Sequence, residues 1–252
     1  MKNIFLILLA LGLVACGKEK DSDKVGNAQL CLDKLGYSSS PSEVSDCVSK
    51  ADGVETAAAY GIRCAGSFMK EGFLNPNKII SAMNQLNGAA GGTANFMSLI
   101  TFTSAGAIAT DTTNSSSAFD YCLRGQGKGS TLLASFGFMA MSLYSFMRAK
   151  GAACAGAPAA TGYDFAACGS SFVIGQPAAA LQLGNASSVD PATITIQRSL
   201  GAVLISTSNI SCTGTSANST LCATISTSIS EAGGINADPR TIAVRFVINL
   251  GL

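Results

Sequence analysis

Nine cysteines and no histidine set the chemistry open to this 252-residue chain. A thiol can serve as a nucleophile, a metal ligand or half of a cross-link. The first use needs a thiolate, commonly drawn out by a neighbouring imidazole. Without histidine, the Ser-His-Asp and Cys-His arrangements are excluded, and so is the commonest general base. For metal binding, the usual zinc sets shrink to all-cysteine sites, and no Cys-x-x-Cys spacing occurs, so no metal is expected. Cross-linking remains. Setting Cys16 aside leaves Cys31, Cys47, Cys64, Cys122, Cys154, Cys168, Cys212 and Cys222, an even set suited to an oxidising compartment. Four bridges leave on the order of a hundred pairings open. Short intervening loops favour Cys154–Cys168 and Cys212–Cys222, and Cys31–Cys47 and Cys64–Cys122 are preferred for the rest.

The other chemistry-bearing residues point to little. Asp/Glu pairs occur only in the charged N-terminal part, where they are expected to face water. Gly125-Gln126-Gly127-Lys128-Gly129 has a glycine-rich look, but its spacing is wrong for a phosphate loop and no Ser or Thr follows the lysine. Dinucleotide and calcium-loop patterns are missing. The expectation is a protein that is not an enzyme and has no catalytic residue, no metal and no dissociable cofactor.

The start of the chain is more specific. Met1-Lys2-Asn3 is followed by an apolar run from Ile4 to Leu13. That is the layout of an export signal, and it is too short for a spanning helix, which needs about 20 apolar residues. The run ends in Leu13-Val14-Ala15-Cys16, which resembles the lipobox of bacterial lipoproteins. The resemblance implies cleavage before Cys16, a diacylglyceryl group on its sulfur and an acyl chain on its new amine. Several acyl chains anchor stably where one binds only marginally. Gly17, in place of the Asp that favours inner-membrane retention, resembles outer-membrane cargo. Residues 1–15 are thus a signal peptide and 16–26 an acylated cysteine with a polar tether.

Charge divides the remainder. Residues 17–78 carry 8 Lys/Arg and 9 Asp/Glu, whereas the much longer segment 79–252 carries 7 and 6. The near-zero balance argues against a nucleic-acid partner, which would call for a basic excess. Two runs, Ile79–Thr110 and Ser199–Ser230, hold no charge at all. A surface so poor in charge is hard to keep soluble, so it should be covered by lipid or by other subunits, above all over 79–150. Hydration by Ser, Thr, Asn and Gly is the competing account, and over 199–230 the two are evenly matched.

The pattern is mainly α: a multi-helix, disulfide-stapled single domain over 27–252, with a charged part (27–78) and a charge-poor part (79–252). Residues 27–35 have helical spacing. Ser40-Pro41-Ser42-Glu43 is a helix start, with a cap, a first-turn proline and a glutamate three residues on. Helix is expected to about Ala51 and again over 54–70, then from Asn75-Pro76 through Leu86. The pairs Gly88/Gly92 and Ala90/Ala94 lie at a break and are read as a loop before an apolar helix over 93–109. A polar stretch, 111–117, leads to a short helix at 119–123. Residues 130–148 form the most apolar helix, read as buried in a core or an oligomer centre rather than spanning. Asp190-Pro191 and Asp238-Pro239 open similar phrases and could cap helices. Yet Ile242, Val244, Phe246, Ile248 and Leu250 alternate, so a short β element over 240–250 is preferred.

The lipobox, the disulfide-linked helices and the charge-poor segments 79–109 and 130–148 together resemble the porin-like PopA outer-membrane proteins of predatory bacteria. That resemblance implies a helical homo-oligomer that traps membrane lipid. Phe96, Phe102, Phe136, Phe138, Met139, Leu143 and Phe146 are the residues expected to meet lipid or a second copy. The alternative is a soluble surface or periplasmic binding or adhesin-like module tethered by its anchor.

Overall fold

The computed structural model describes residues 20–36, 39–73, 80, 92–149, 152, 154–158, 162–165, 167–168, 191–212 and 219–249. Among the described residues there are nine α-helices and no strand: α1 (Asp21–Asp33), α2 (Pro41–Ser49), α3 (Ala57–Lys70), α4 (Gly92–Leu99), α5 (Ile108–Arg124), α6 (Lys128–Ala149), α7 (Pro191–Ser211), α8 (Ser219–Glu231) and α9 (Pro239–Asn249). The fold is mainly helical, as the sequence predicts. The expected helix from Asn75 lies outside the described residues apart from Ile80, which is helical, and so do Gly88 and Ala90 of the small-residue pairs, whose partners Gly92 and Ala94 are in α4.

The helix α1 starts inside the segment read as tether. Asp21 and Asp23 occupy its first turn, where the positive end of the helix dipole favours carboxylates. The start of α2 is as read. The Ser40 hydroxyl accepts from the Glu43 amide, and the Glu43 carboxylate accepts from the Ser40 amide at 2.7 Å. Thr56 caps α3 by accepting from the Ala59 amide. These three helices close on a small core that includes Leu32, Val44, Val54 and Ile62.

The main core is built around α6, which packs against α4, α5 and α7, while α9 packs on α7 and α8. Tyr144 of α6 meets Tyr163 and Phe165, with ring centroids 4.9 and 5.2 Å away. The segment carrying those two rings is fastened to the end of α4. The Tyr163 amide donates to Thr101 Oγ1 and the Phe165 amide to Ser98 Oγ. Gly137 of α6 faces Phe102, whose ring would lie 2.7 Å from an added Cβ.

Three sequence expectations are corrected. The apolar helix expected over 93–109 stops at Leu99 because carboxylates capture the backbone beyond it. Glu71 accepts from the amides of Thr103 and Ser104, and Asp111 from that of Ala105. The polar stretch 111–117 is part of α5, not a lead-in to it. Thr112 and Thr113 donate their hydroxyls to the carbonyls of Ile108 and Ala109 four residues back, and Asp111, Ser115, Ala118 and Cys122 supply a buried stripe. Residues 239–249 are helix, not strand. Asp238 accepts from the Arg240 amide and its carbonyl from Ile242, so Asp-Pro acts as a helix start. The alternating residues conceal Ala243 and Val247, which are buried with Ile242, Val244 and Phe246. Where α9 crosses α7, a Cβ on Gly201 would overlap the carbonyl of Pro239.

Candidate functional site

All eight remaining cysteines pair as preferred from the sequence: Cys31–Cys47, Cys64–Cys122, Cys154–Cys168 and Cys212–Cys222, with Cα–Cα separations of 4.6 to 5.3 Å. Cys31–Cys47 ties α1 to α2. Cys64–Cys122 ties α3 to α5 inside the main core, while Ala59 and Ile62 of α3 belong to the small one. Cys16 lies outside the described residues.

The residues expected to meet lipid or another copy lie elsewhere than on a surface. Phe96, Phe102, Phe138, Met139, Leu143 and Phe146 are buried in the main core, and Phe136 is half-buried against Phe96. They are covered by neighbouring elements: Phe96 meets Phe136, Phe138 meets Phe119 of α5, and Phe102 meets Phe73. The helix α6 is long and apolar enough to cross a membrane, but 72% of its apolar window is buried inside the protein.

An apolar groove of about 570 Å³ opens instead between α1, α3 and the α5–α6 turn. Its size falls within the roughly 300–1,000 Å³ of small-molecule sites. The α1 wall presents Leu32 with Gln29 and Asp33 beside it, and Leu35 follows just past the helix end. The α3 wall presents Ala65, Phe68 and Met69, and Phe73 follows it. Leu133 and Ser130 enter from α6, and the Cys64–Cys122 bridge lies between the walls. Two glycines bring the walls together: a Cβ on Gly125 would stand 2.9 Å from the Gly61 backbone nitrogen. Gln126, at φ 60°, then turns the chain toward α6. Among the described residues Asp33 is the groove's only ionisable side chain, and Gln29 Nε2 donates to it at 2.6 Å.

Beside the groove the two cores are braced by Tyr60. The guanidinium carbons of Arg63 and Arg124 each lie 5.0 Å from its ring centroid. Its hydroxyl accepts from Arg124 at 2.7 Å and donates to Glu55. Arg63 also bridges to Glu55 and donates to the carbonyls of Ala51 and Val54. Guanidinium–ring contacts of this kind contribute about 0.5–1 kcal/mol at exposed sites.

Sequence reasoning missed the buried acids. Glu71 and Asp111, which the sequence did not single out, are both buried. The Glu71 carboxylate also accepts from Ser104 Oγ at 2.5 Å, and Asp111 accepts from Tyr163 Oη at 2.9 Å. Burial pushes the Glu71 carboxyl above the ordinary range, opposed by the hydrogen bonds from Ser104 and Thr103. The Tyr163 phenol is pushed up by burial and then by its bond to Asp111. No signal in the sequence marked these two acids, which are 40 positions apart in chain order. Their partners are amides and hydroxyls that orient the 103–105 loop. Among the described residues no group of three His, Cys, Asp or Glu could hold a metal ion. No family model, curated protein or solved structure matches the chain.

Proposed function

We propose that this is a non-enzymatic, outer-membrane lipoprotein whose acylated Cys16 tethers a helical binding module, and that the module takes an apolar ligand into the α1–α3–α6 groove. The groove is the observation that carries the reading. It combines ligand-site volume with a wall of leucine, phenylalanine, methionine and a disulfide. Single polar groups at such sites orient the ligand while the apolar wall supplies affinity. Leu13-Val14-Ala15-Cys16 supports the anchor.

Burial of α6 favours this tethered module over a self-assembling lipid trap. The most apolar helix has found its cover within its own chain. The low charge of residues 79–252 remains the argument for an oligomer. Native mass spectrometry of the detergent-extracted protein tests both. A single chain carrying a small apolar adduct is expected, with the adduct lost in Ala65→Trp, which fills the groove. A ring of several copies that retains lipid in Ala65→Trp would replace this reading with the self-assembling one.

A further inference from the structure

We infer that the face formed by Leu30, Lys34 and Lys50, on the side of α1 away from the groove, rests on the anionic headgroup surface of the membrane that holds the protein. The inference rests on the acylated-Cys16 reading and adds to it an orientation of the folded body.

Leu30 is 59% exposed, more than any other large apolar side chain among the described residues. It sits in a shallow depression of about 560 Å³ together with Asn27, Cys31, Lys34, Leu35 and Lys50. Residues 27, 30, 31 and 34 share one face of a helix because they are three or four apart. Lys50 ends α2 and is brought to that face by the Cys31–Cys47 bridge. Among the described residues the depression therefore has two ammonium groups, one projecting leucine and no carboxylate. Neither lysine has an ion-pair partner among the described residues. Asp33, next to Lys34 in sequence, lines the opposite groove, where Gln29 donates to it.

A protruding apolar residue flanked by lysines matches an anionic interface. The leucine enters the acyl boundary while the long lysine stems keep their charges among the phosphates. An acidic protein partner would need comparable charge, but chain length favours the membrane. Four residues lie between Cys16 and Asp21, so the five steps span at most about 18 Å when extended. Leu30 lies nine residues further along α1, about 14 Å of helix. A face held so close to its surface meets it at high effective concentration. The acyl chains already provide the hold, so the face acts on orientation. It turns Leu32, Asp33 and the ligand groove away from the headgroups.

The chain has no tryptophan, so Leu30→Trp gives a single reporter at an exposed position. The mature acylated variant is reconstituted in vesicles of phosphatidylcholine, alone or with a third of phosphatidylglycerol. Blue-shifted emission, quenched by lipids brominated in the upper acyl chain, is expected on the phosphatidylglycerol vesicles and should fade with salt. Each lysine near an anionic surface is worth about fivefold in such an equilibrium. Adding Lys34→Glu and Lys50→Glu should therefore lower the ratio of lipid-contacting to free faces by at least about 30-fold. Leu123→Trp, on α5, should show no quenching. A protein that floats with the vesicles while Trp at position 30 stays in water on both compositions overturns the face and spares the anchor. A mature protein whose mass lacks acyl groups overturns the anchor, and the inference with it.

Discussion

The three N-terminal helices and the six that follow are held together in different ways. Around α1–α3 the core is small, and caps, a buried-edge arginine and a disulfide do much of the fastening. Around α6 the core is large and aromatic. The polar residues of this second region are largely serines and threonines whose hydroxyls bond to carbonyls three or four residues back, as at Thr112, Ser115, Ser135, Thr207 and Ser228. Scarcity of charge is thus a poor measure of how much greasy surface a chain exposes. Among the described residues of the charge-poor region most large apolar side chains are buried, with Ile80, Leu123, Ile235 and Ile248 the exposed exceptions.

The comparison breaks most sharply at the bridge between the regions. Replacing Cys64 and Cys122 by serine should lower the unfolding free energy by about 2–5 kcal/mol. Denaturant titration gives the size. Hydrogen exchange should show α1–α3 losing protection before α6, and equal loss in both regions would mean that they form one cooperative unit without the bridge. A smaller effect sharpens the contrast in capping. Ser40→Ala should cost about 1 kcal/mol, read as a lower melting temperature. The smallest effect concerns Glu71, whose carboxyl is held above its unfolded range by burial. The folded state then binds more protons than the unfolded state, so stability falls as pH rises through the window above the ordinary glutamate value. Glu71→Gln should flatten the pH dependence in that window, seen in melting temperatures across mildly acidic buffers. An unchanged slope would remove Glu71 as its source.

What the sequence disclosed depended on how local the cause was. Ser40 and Glu43 are three residues apart, and their mutual hydrogen bonds were readable as such. The short-loop disulfides were equally local. The strand expected over 240–250 failed because α9 is packed by both α7 and α8, so apolar residues occupy several of its faces and the helical period is blurred. The candidate groove escaped notice because its walls come from residues 29–35, 61–73 and 125–133, which only the fold assembles. Glu71 and Asp111 escaped for the same reason, since their bond partners lie in a loop that a propensity argument assigns to helix.

The close crossing at Gly201 limits what the joint between α7 and α9 can tolerate. With the carbonyl of Pro239 seated against a position that has no side chain, the two Asp-Pro helices mesh like a key in its slot. The two backbones come this close only because position 201 carries no side chain. Any side chain at this one position, even a single methyl group, would force the two helices apart.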